Sequence, residues 1–202
     1  HIDRSRRFDA CTTSHEDAVA CRASHRRHNR GRRCKGQRAW AGHHQNRHGV
    51  VEGAGDDPCD GGEGKDTMSG AGGDDLYSVD DAGDLVSENT SEGTDTVVVS
   101  TASYTLPQNV ENGLVAEGES GGALSGNALD NSLIGGSGND TLTGGTAGAD
   151  TLDGGEGADK LTGGNGADVY RVDNAGDVIV ENDTTAGATG LDVIESSAAS
   201  YS

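Results

Sequence analysis

The chain has 202 residues, of which 31% are hydrophobic, 3% are aromatic and 34 are glycine. A usual glycine share is roughly 7%, so glycine is strongly over-represented. Together with a formal net charge of −19, this composition excludes a core built on aromatic and long aliphatic side chains. It also excludes a membrane-spanning helix, because no run approaches the roughly 18 consecutive apolar residues that a span requires.

The charges are divided unevenly along the chain. Residues 1–50 carry 12 of the 15 basic residues and four acidic ones, whereas residues 51–202 carry three basic and 30 acidic ones. All seven histidines precede residue 49, and all four cysteines lie at or before Cys59. This shift predicts a boundary between Gly49 and Asp60. Because the chain starts at His1 and shows no signal-peptide stretch, we expect it to be a fragment of a longer protein.

The basic segment, residues 1–58, has three possible interpretations. Its arginines at 26–33 could bind phosphate groups of a nucleic acid. Its candidate zinc ligands lack a CxxC pair and any recognised finger spacing, which argues against zinc: they are Cys11, Cys21, Cys34, His25 and His28. The favoured interpretation is out-of-frame translation, because a one-base shift at 46–50 can encode the Thr-Asp-Thr-Val string found at 94–97. We therefore expect this segment to be disordered or non-native and to bind no nucleic acid.

The segment that follows is dominated by a nine-residue repeat. Four blocks run end to end at 135–143, 144–153, 154–162 and 163–171, each with a glycine pair, an aspartate and a following Leu or Tyr. An earlier pair lies at 61–69 and 70–78, and a degenerate block lies at 126–134. A fixed period of glycine, aspartate and leucine is not expected in a flexible linker, so the pattern indicates a folded repeat.

Each position of the repeat has a physical role. Glycines permit positive φ and tight turns, so that carbonyl oxygens can converge on one point, to which the aspartate adds a carboxylate. Such hard oxygen ligands suit Ca²⁺, which takes six to eight of them at about 2.3–2.6 Å, and the blocks contain no Cys or His for a softer metal. The apolar residue of each block predicts a buried ladder, formed by Leu142, Leu152, Leu161 and Tyr170.

These blocks resemble the RTX (haemolysin-type) calcium-binding nonapeptide repeats. The resemblance implies an all-β fold, a parallel β-roll of glycine- and aspartate-rich repeats with extra short strands, in which two repeats complete one coil. It also implies that Ca²⁺ lies between a loop and the loop two repeats on, which pairs Asp140 with Asp159 and Asp150 with Asp168. The implied metal ligands are Asp66, Asp75, Asp140, Asp150, Asp159 and Asp168, with the carbonyl groups of Gly136, Gly138, Gly155, Gly157, Gly164 and Gly166.

Several positions depart from the repeat pattern. An extra residue near 146–147 is expected to distort its loop, and Ala71 replaces the second glycine of its block. Asn127 and Asn131 stand where stronger ligands are expected. Two further aspartates have no in-frame partner two repeats on, so their sites are expected to be incomplete: they are Asp66 and Asp75.

A longer repeat overlies the short one. Residues 77–89 recur 93 residues later at 170–182, as in the tandem modules of large secreted RTX proteins, which they resemble. We therefore divide the acidic part into a short repeat pair (59–78), a β-rich spacer (79–123), the main roll (124–170) and a truncated second spacer (171–202). The acids of this unit could bind calcium, but a solvated face is the favoured interpretation for Asp80, Asp84, Glu88, Asp173, Asp177 and Glu181.

Enzyme motifs are incomplete in this chain. The GESGG string at 118–122 matches the G-x-S-x-G nucleophile pattern, but every histidine that could act as its base lies before residue 49. The HEDAV string at 15–19 lacks the second histidine of a zinc protease. We therefore expect no catalytic activity in this chain.

The sequence predicts that calcium binding is coupled to folding. With 30 acidic and three basic residues after residue 50, the metal-free chain should repel itself and stay disordered. Extracellular modules bind Ca²⁺ at about 10⁻⁴–10⁻³ M, which favours a secreted protein, and the resemblance implies bacterial type I export. Two alternatives remain open: the calcium-binding C-terminal part of a secreted enzyme (protease, lipase or epimerase), or part of a large adhesin or surface-layer protein.

Overall fold

The structure, a computed structural model, describes residues 55–116, 121–182 and 190–198. The described residues form short strands of two to four residues joined by turns and loops. The strands are β1 Pro58–Asp60, β2 Thr67–Met68, β3 Leu76–Val79, β4 Leu85–Val86, β5 Thr96–Val99, β6 Ser103–Thr105, β7 Asn112–Val115, β8 Ala123–Ser125, β9 Ser132–Ile134, β10 Thr141–Thr143, β11 Thr151–Asp153, β12 Lys160–Thr162, β13 Val169–Val172, β14 Val178–Val180 and β15 Val193–Ser196.

The strands form a parallel β-solenoid. All odd-numbered strands make one eight-stranded sheet in sequence order, while β6 to β14 of the even-numbered strands make a five-stranded sheet and β2 pairs with β4. Within each sheet, neighbouring strands are therefore two places apart in the chain, as are β10 and β12, and β11 and β13. This pairing confirms the expected all-β parallel roll, in which two repeats complete one coil.

The core consists of one inward apolar side chain per short strand. Leu142 pairs with Leu161, and Leu152 pairs with Tyr170. All four are at most 1% exposed, so the predicted ladder is confirmed, as two ladders on facing sheets. Because full burial of such a side chain is worth about 1.5–3 kcal/mol, no single repeat can offset its own ordering entropy, and stability comes from stacking coils.

The spacer residues extend the same solenoid. Strand β5 pairs with β3 and with β7, and β5 and β7 bury Val97, Val99 and Val115. Strands with alternating buried residues therefore continue the solenoid where the glycine-rich loops are absent. On the opposite side the sheet is interrupted between β4 and β6, where a cavity of about 380 Å³ is lined in part by Val86 and Tyr104.

Some sequence-based interpretations lie outside the described residues. These include the zinc candidates, the arginine run and residues 15–19 of the basic segment, together with most of the GESGG string. Residues 55–58, at the end of that segment, are described: the amide of Asp57 donates a 2.8 Å hydrogen bond to Oδ1 of Asp75. Within the described ranges, no helix is long and apolar enough to cross a membrane.

Ala71 occupies a glycine position of the repeat. It has a φ of 69°, in the left-handed region, like the corresponding Gly136 and Gly155 at 91° and 76°. A side chain in this region costs about 1–2 kcal/mol, which glycine avoids.

We predict that Ala71→Gly stabilises the roll by up to about 1 kcal/mol, the relief of strain less the greater entropy of glycine in the unfolded chain. The measurement is the free energy of unfolding in denaturant at saturating Ca²⁺. The matched control is Ala158→Gly in another turn, at an alanine with ordinary φ, which should destabilise. Equal effects of the two substitutions would contradict this account.

Candidate metal centre

A ladder of carboxylates joins successive coils. The backbone amide of one aspartate donates a hydrogen bond to Oδ1 of the aspartate one coil on. This occurs from Asp140 to Asp159 and from Asp150 to Asp168, both at 2.8 Å, and from Asp159 to Asp177 at 3.0 Å. The structure thus brings together both aspartate pairs that the family resemblance implied.

The second carboxylate oxygen of these aspartates is buried. Oδ2 of Asp140, Asp150 and Asp159 has no hydrogen-bond partner, and the three residues are at most 2% exposed. A buried polar atom without a partner costs about 1–3 kcal/mol, and more when it is charged. Such atoms are rare in native structures, so a bound cation or a proton would stabilise each of these oxygens.

The first glycine of each block places a carbonyl oxygen opposite this carboxylate oxygen. A Cβ atom added to Gly135 would lie 2.7 Å from Oδ2 of Asp140 and closer still to the carbonyl oxygen of Gly154. A Cβ added to Gly144 would lie 2.6 Å from the carbonyl oxygen of Gly163 and closer to Oδ2 of Asp150. Each glycine therefore leaves an open cradle, between a carboxylate and a carbonyl oxygen. Two such hard donors fit Ca²⁺.

The glycines implied as carbonyl ligands lie in the turns beside these cradles. All six have positive φ, as the loop geometry requires: Gly136, Gly138, Gly155, Gly157, Gly164 and Gly166. The carbonyl of Gly136 accepts a 2.8 Å hydrogen bond from the amide of Glu156, which joins neighbouring loops. The carbonyls that face the buried carboxylates at the cradles belong to Gly154 and Gly163. These two glycines were not among the ligands expected from the sequence, although every block has glycine at its first position.

In the degenerate block, an asparagine takes the place of the aspartate. Oδ1 of Asn131 accepts the amide of Asn127 at 2.8 Å, and its Nδ2 donates to the carbonyl oxygens of Val110 and Glu111, both at 3.1 Å. Asparagine supplies donors at a position where an aspartate leaves an oxygen without a partner. This rung of the ladder is therefore satisfied by protein atoms.

The expectation that Asp66 and Asp75 have no partners two repeats on is wrong. The amide of Asp66 donates to Oδ1 of Asp84 at 2.9 Å, and the amide of Asp75 donates to Oδ1 of Asp95 at 2.8 Å. The spacer supplies these partners because its coils advance by 18 to 20 residues, as the repeat coils do.

The solvated face expected for the spacer acids is also partly wrong. Asp84, Glu88 and Asp177 are 4%, 7% and 7% exposed, whereas Asp80, Asp173 and Glu181 are exposed as expected. Tight turns direct Asp84 and Asp177 inward, where their second oxygens accept backbone amides at 3.1 Å. These two carboxylates are satisfied by amides alone.

The extra residue near 146–147 does not distort the ladder. Asp150, which follows it, is 1% exposed and keeps its hydrogen bond to Asp168. The backbone absorbs the insertion at Gly145 and Gly148, both of which have positive φ. The expected distortion was therefore wrong at this loop.

Burial controls the protonation of the ladder. It raises the pKa of Asp150 to about 7 and that of Asp159 to about 6, and it also raises the pKa of Asp140. Hydrogen bonds from backbone amides oppose this shift but do not cancel it. Without a cation, these buried carboxyl groups therefore bind protons more readily than exposed aspartates do.

The fold and these cradles define a β-solenoid with hard-oxygen cation sites. Four copies of the RTX calcium-binding nonapeptide repeat match the chain, at residues 53–86, 125–146 and 144–179. RTX calcium-binding nonapeptide repeats are therefore present over these residues. No curated protein and no solved structure matches the chain significantly.

We predict that acidification increases the β content of the metal-free chain. A raised pKa in the folded state gives stability that is present below the ordinary value of 3.8 and is lost as the pH rises through about 7 for Asp150. Far-UV circular dichroism in EDTA from about pH 8 to about pH 5 measures this change. β content that is constant or falls over this range would contradict the prediction.

We predict that Gly135→Ala weakens Ca²⁺ binding at the Asp140 cradle, because the new methyl group fills the space between the two oxygens. The substitution adds no φ strain, since Gly135 does not have positive φ. Isothermal titration calorimetry measures the loss, at least tenfold in affinity at one class of sites if about 1.4 kcal/mol is lost. Gly72→Ala is the matched control, because its nearest neighbour would be 3.8 Å away; equal affinities for both variants would refute the cradle.

Proposed function

We propose that the chain is a calcium-binding module of a secreted protein and that its roll folds when calcium binds. The observation that carries this proposal is the pair of buried Oδ2 atoms of Asp140 and Asp150, each facing a glycine carbonyl. Asp140 with the Gly154 carbonyl, and Asp150 with the Gly163 carbonyl, would hold the ions. Bound calcium supplies positive charge and further coordination for these oxygens.

Charge balance supports coupling between binding and folding. After residue 50 the chain has 30 acidic and three basic residues, so its own side chains cannot neutralise the ladder. Two carboxylates about 4 Å apart repel by about 4 kcal/mol at an effective dielectric constant of 20. Folding brings many such groups together, so binding free energy becomes folding free energy.

The same argument favours a role outside the cell. A chain that needs roughly 10⁻⁴–10⁻³ M Ca²⁺ would stay unfolded where calcium is scarce and fold where calcium is abundant. RTX repeats also accord with export by a bacterial type I system. In this proposal the repeats are structural and not catalytic. The wider protein would be a secreted enzyme or an adhesin. A catalytic motif in the adjoining coding sequence would indicate the enzyme, and many further copies of the long repeat would indicate the adhesin.

We expect the full chain to change from coil to β structure as Ca²⁺ approaches millimolar concentration, about 10⁻³ M, but not with Mg²⁺. Far-UV circular dichroism follows the transition. Asp159→Asn should shift its midpoint to higher Ca²⁺, because it removes a buried carboxylate, whereas Asp173→Asn, at an exposed position, should not. A wild-type chain that does not respond to Ca²⁺ would overturn the proposal.

A further inference from the structure

Three carboxylates meet at one point outside the glycine cradles. Asp75, Glu88 and Asp95 each place one oxygen within 4.8 Å of those of the other two. The residues are 2%, 7% and 1% exposed. Two of them, Glu88 and Asp95, come from the spacer, which the nonapeptide pattern does not cover.

The free oxygens of this group point to a ligand. Oδ2 of Asp75, Oε2 of Glu88 and Oδ2 of Asp95 are all buried without a hydrogen-bond partner. Their other oxygens are engaged: Oδ1 of Asp75 and Oδ1 of Asp95 each accept a backbone amide at 2.8 Å. Oε1 of Glu88 accepts the hydroxyl of Tyr77 and the amide of Gly70. Each of the three clustered carboxylates thus keeps one buried oxygen without a partner, while hydrogen bonds to its other oxygen fix the side chain.

The spacing suits one cation. Oxygens that share a Ca²⁺ ion at about 2.3–2.6 Å lie at most about 5.2 Å apart. One oxygen of each of the three carboxylates lies within 4.8 Å of the others, which is compatible with one shared ion. Glu88 follows Gly70 by 18 residues, as Gly144 follows Gly126, whose cradle faces the Gly144 carbonyl. A glutamate side chain therefore stands where the nonapeptide loops supply a carbonyl.

The same group recurs in the second copy of the long repeat. Asp168, Glu181 and Asp192 also place oxygens within 4.8 Å of one another. The hydroxyl of Tyr170 donates to Glu181 at 2.8 Å, as that of Tyr77 does to Glu88. The amide of Asp168 donates to Asp192, as that of Asp75 does to Asp95. Four positions of the arrangement are thus repeated.

We infer that Asp75, Glu88 and Asp95 form a calcium site of a second type, a carboxylate triad closed by a spacer glutamate, with Asp168, Glu181 and Asp192 as its counterpart. This inference rests on calcium binding by the repeats. It gives the spacer a role beyond linking two repeat blocks. Each long repeat ends its run of nonapeptide loops with one triad, and a tyrosine orients the glutamate.

The number of calcium ions bound to the full chain tests the inference. Native mass spectrometry should show one ion fewer for Glu88→Gln and for Glu181→Gln, and two fewer for the double variant. Glu63→Gln, at an exposed glutamate, is the matched control and should keep the wild-type number. Glu181 is exposed, so its variant remains informative if the Glu88 variant folds poorly.

Tyrosine-sensitised Tb³⁺ luminescence gives a second measurement, because Tyr77 and Tyr170 contact the glutamates. The double glutamine variant should lose most of this emission, and Glu63→Gln should keep it. Unchanged ion number and emission in the double variant would overturn the triads while leaving the nonapeptide sites intact. A wild-type chain that binds no calcium would overturn the proposed function as well.

Discussion

The hydrogen bond from a backbone amide to the carboxylate one coil away is the interaction on which the structure depends. It sets the distance between coils and buries the carboxylate that accepts it. It satisfies only one of the two oxygens, so the other is left buried without a partner in Asp140, Asp150 and Asp159. The fold therefore creates a demand for positive charge that the acidic chain cannot meet from its own side chains.

The carboxylate positions of the ladder differ in how their second oxygen is satisfied. Asp84 and Asp177 receive backbone amides on both oxygens, and Asn131 donates its own amide hydrogens to carbonyls. Asp140 and Asp150 face glycine carbonyls, and Asp75 and Asp95 lie beside other carboxylates. Thus one solenoid contains rungs closed by protein atoms and rungs that require an external cation. This division explains why calcium should matter to some coils more than to others.

The sequence predicted the repeat region well because its chemistry is local and periodic. Glycine, aspartate and leucine at a fixed spacing specify the turn, the carboxylate and the buried side chain, and Leu142 and Leu161 lie as expected. Pairing between coils could also be predicted, since it follows from the number of repeats per coil.

The spacer could not be predicted in the same way. Asp84 and Asp95 join the ladder although no glycine-rich motif surrounds them, because the coil continues on alternating apolar residues such as Val97 and Val99. Exposed and buried acids look alike in such a sequence. Only the three-dimensional path of the turns directs Asp84 inward and leaves Asp80 exposed. The sequence carried the copy-to-copy recurrence of Glu88 and Glu181, but not the contact of each with two aspartates.

At neutral pH, the rungs of Asp140, Asp150 and Asp159 should form only when cations neutralise their carboxylates. The most direct measurement is site-resolved hydrogen exchange, by NMR at neutral pH, of the amides of Gly122, Asn131 and Asp140, which donate to the carboxylates of Asp140, Asp150 and Asp159. The account predicts strong protection of these amides with Ca²⁺ and exchange at the rate of an unfolded chain with EDTA. Equal protection in the two conditions would contradict it, because the rungs would then be stable without any ion.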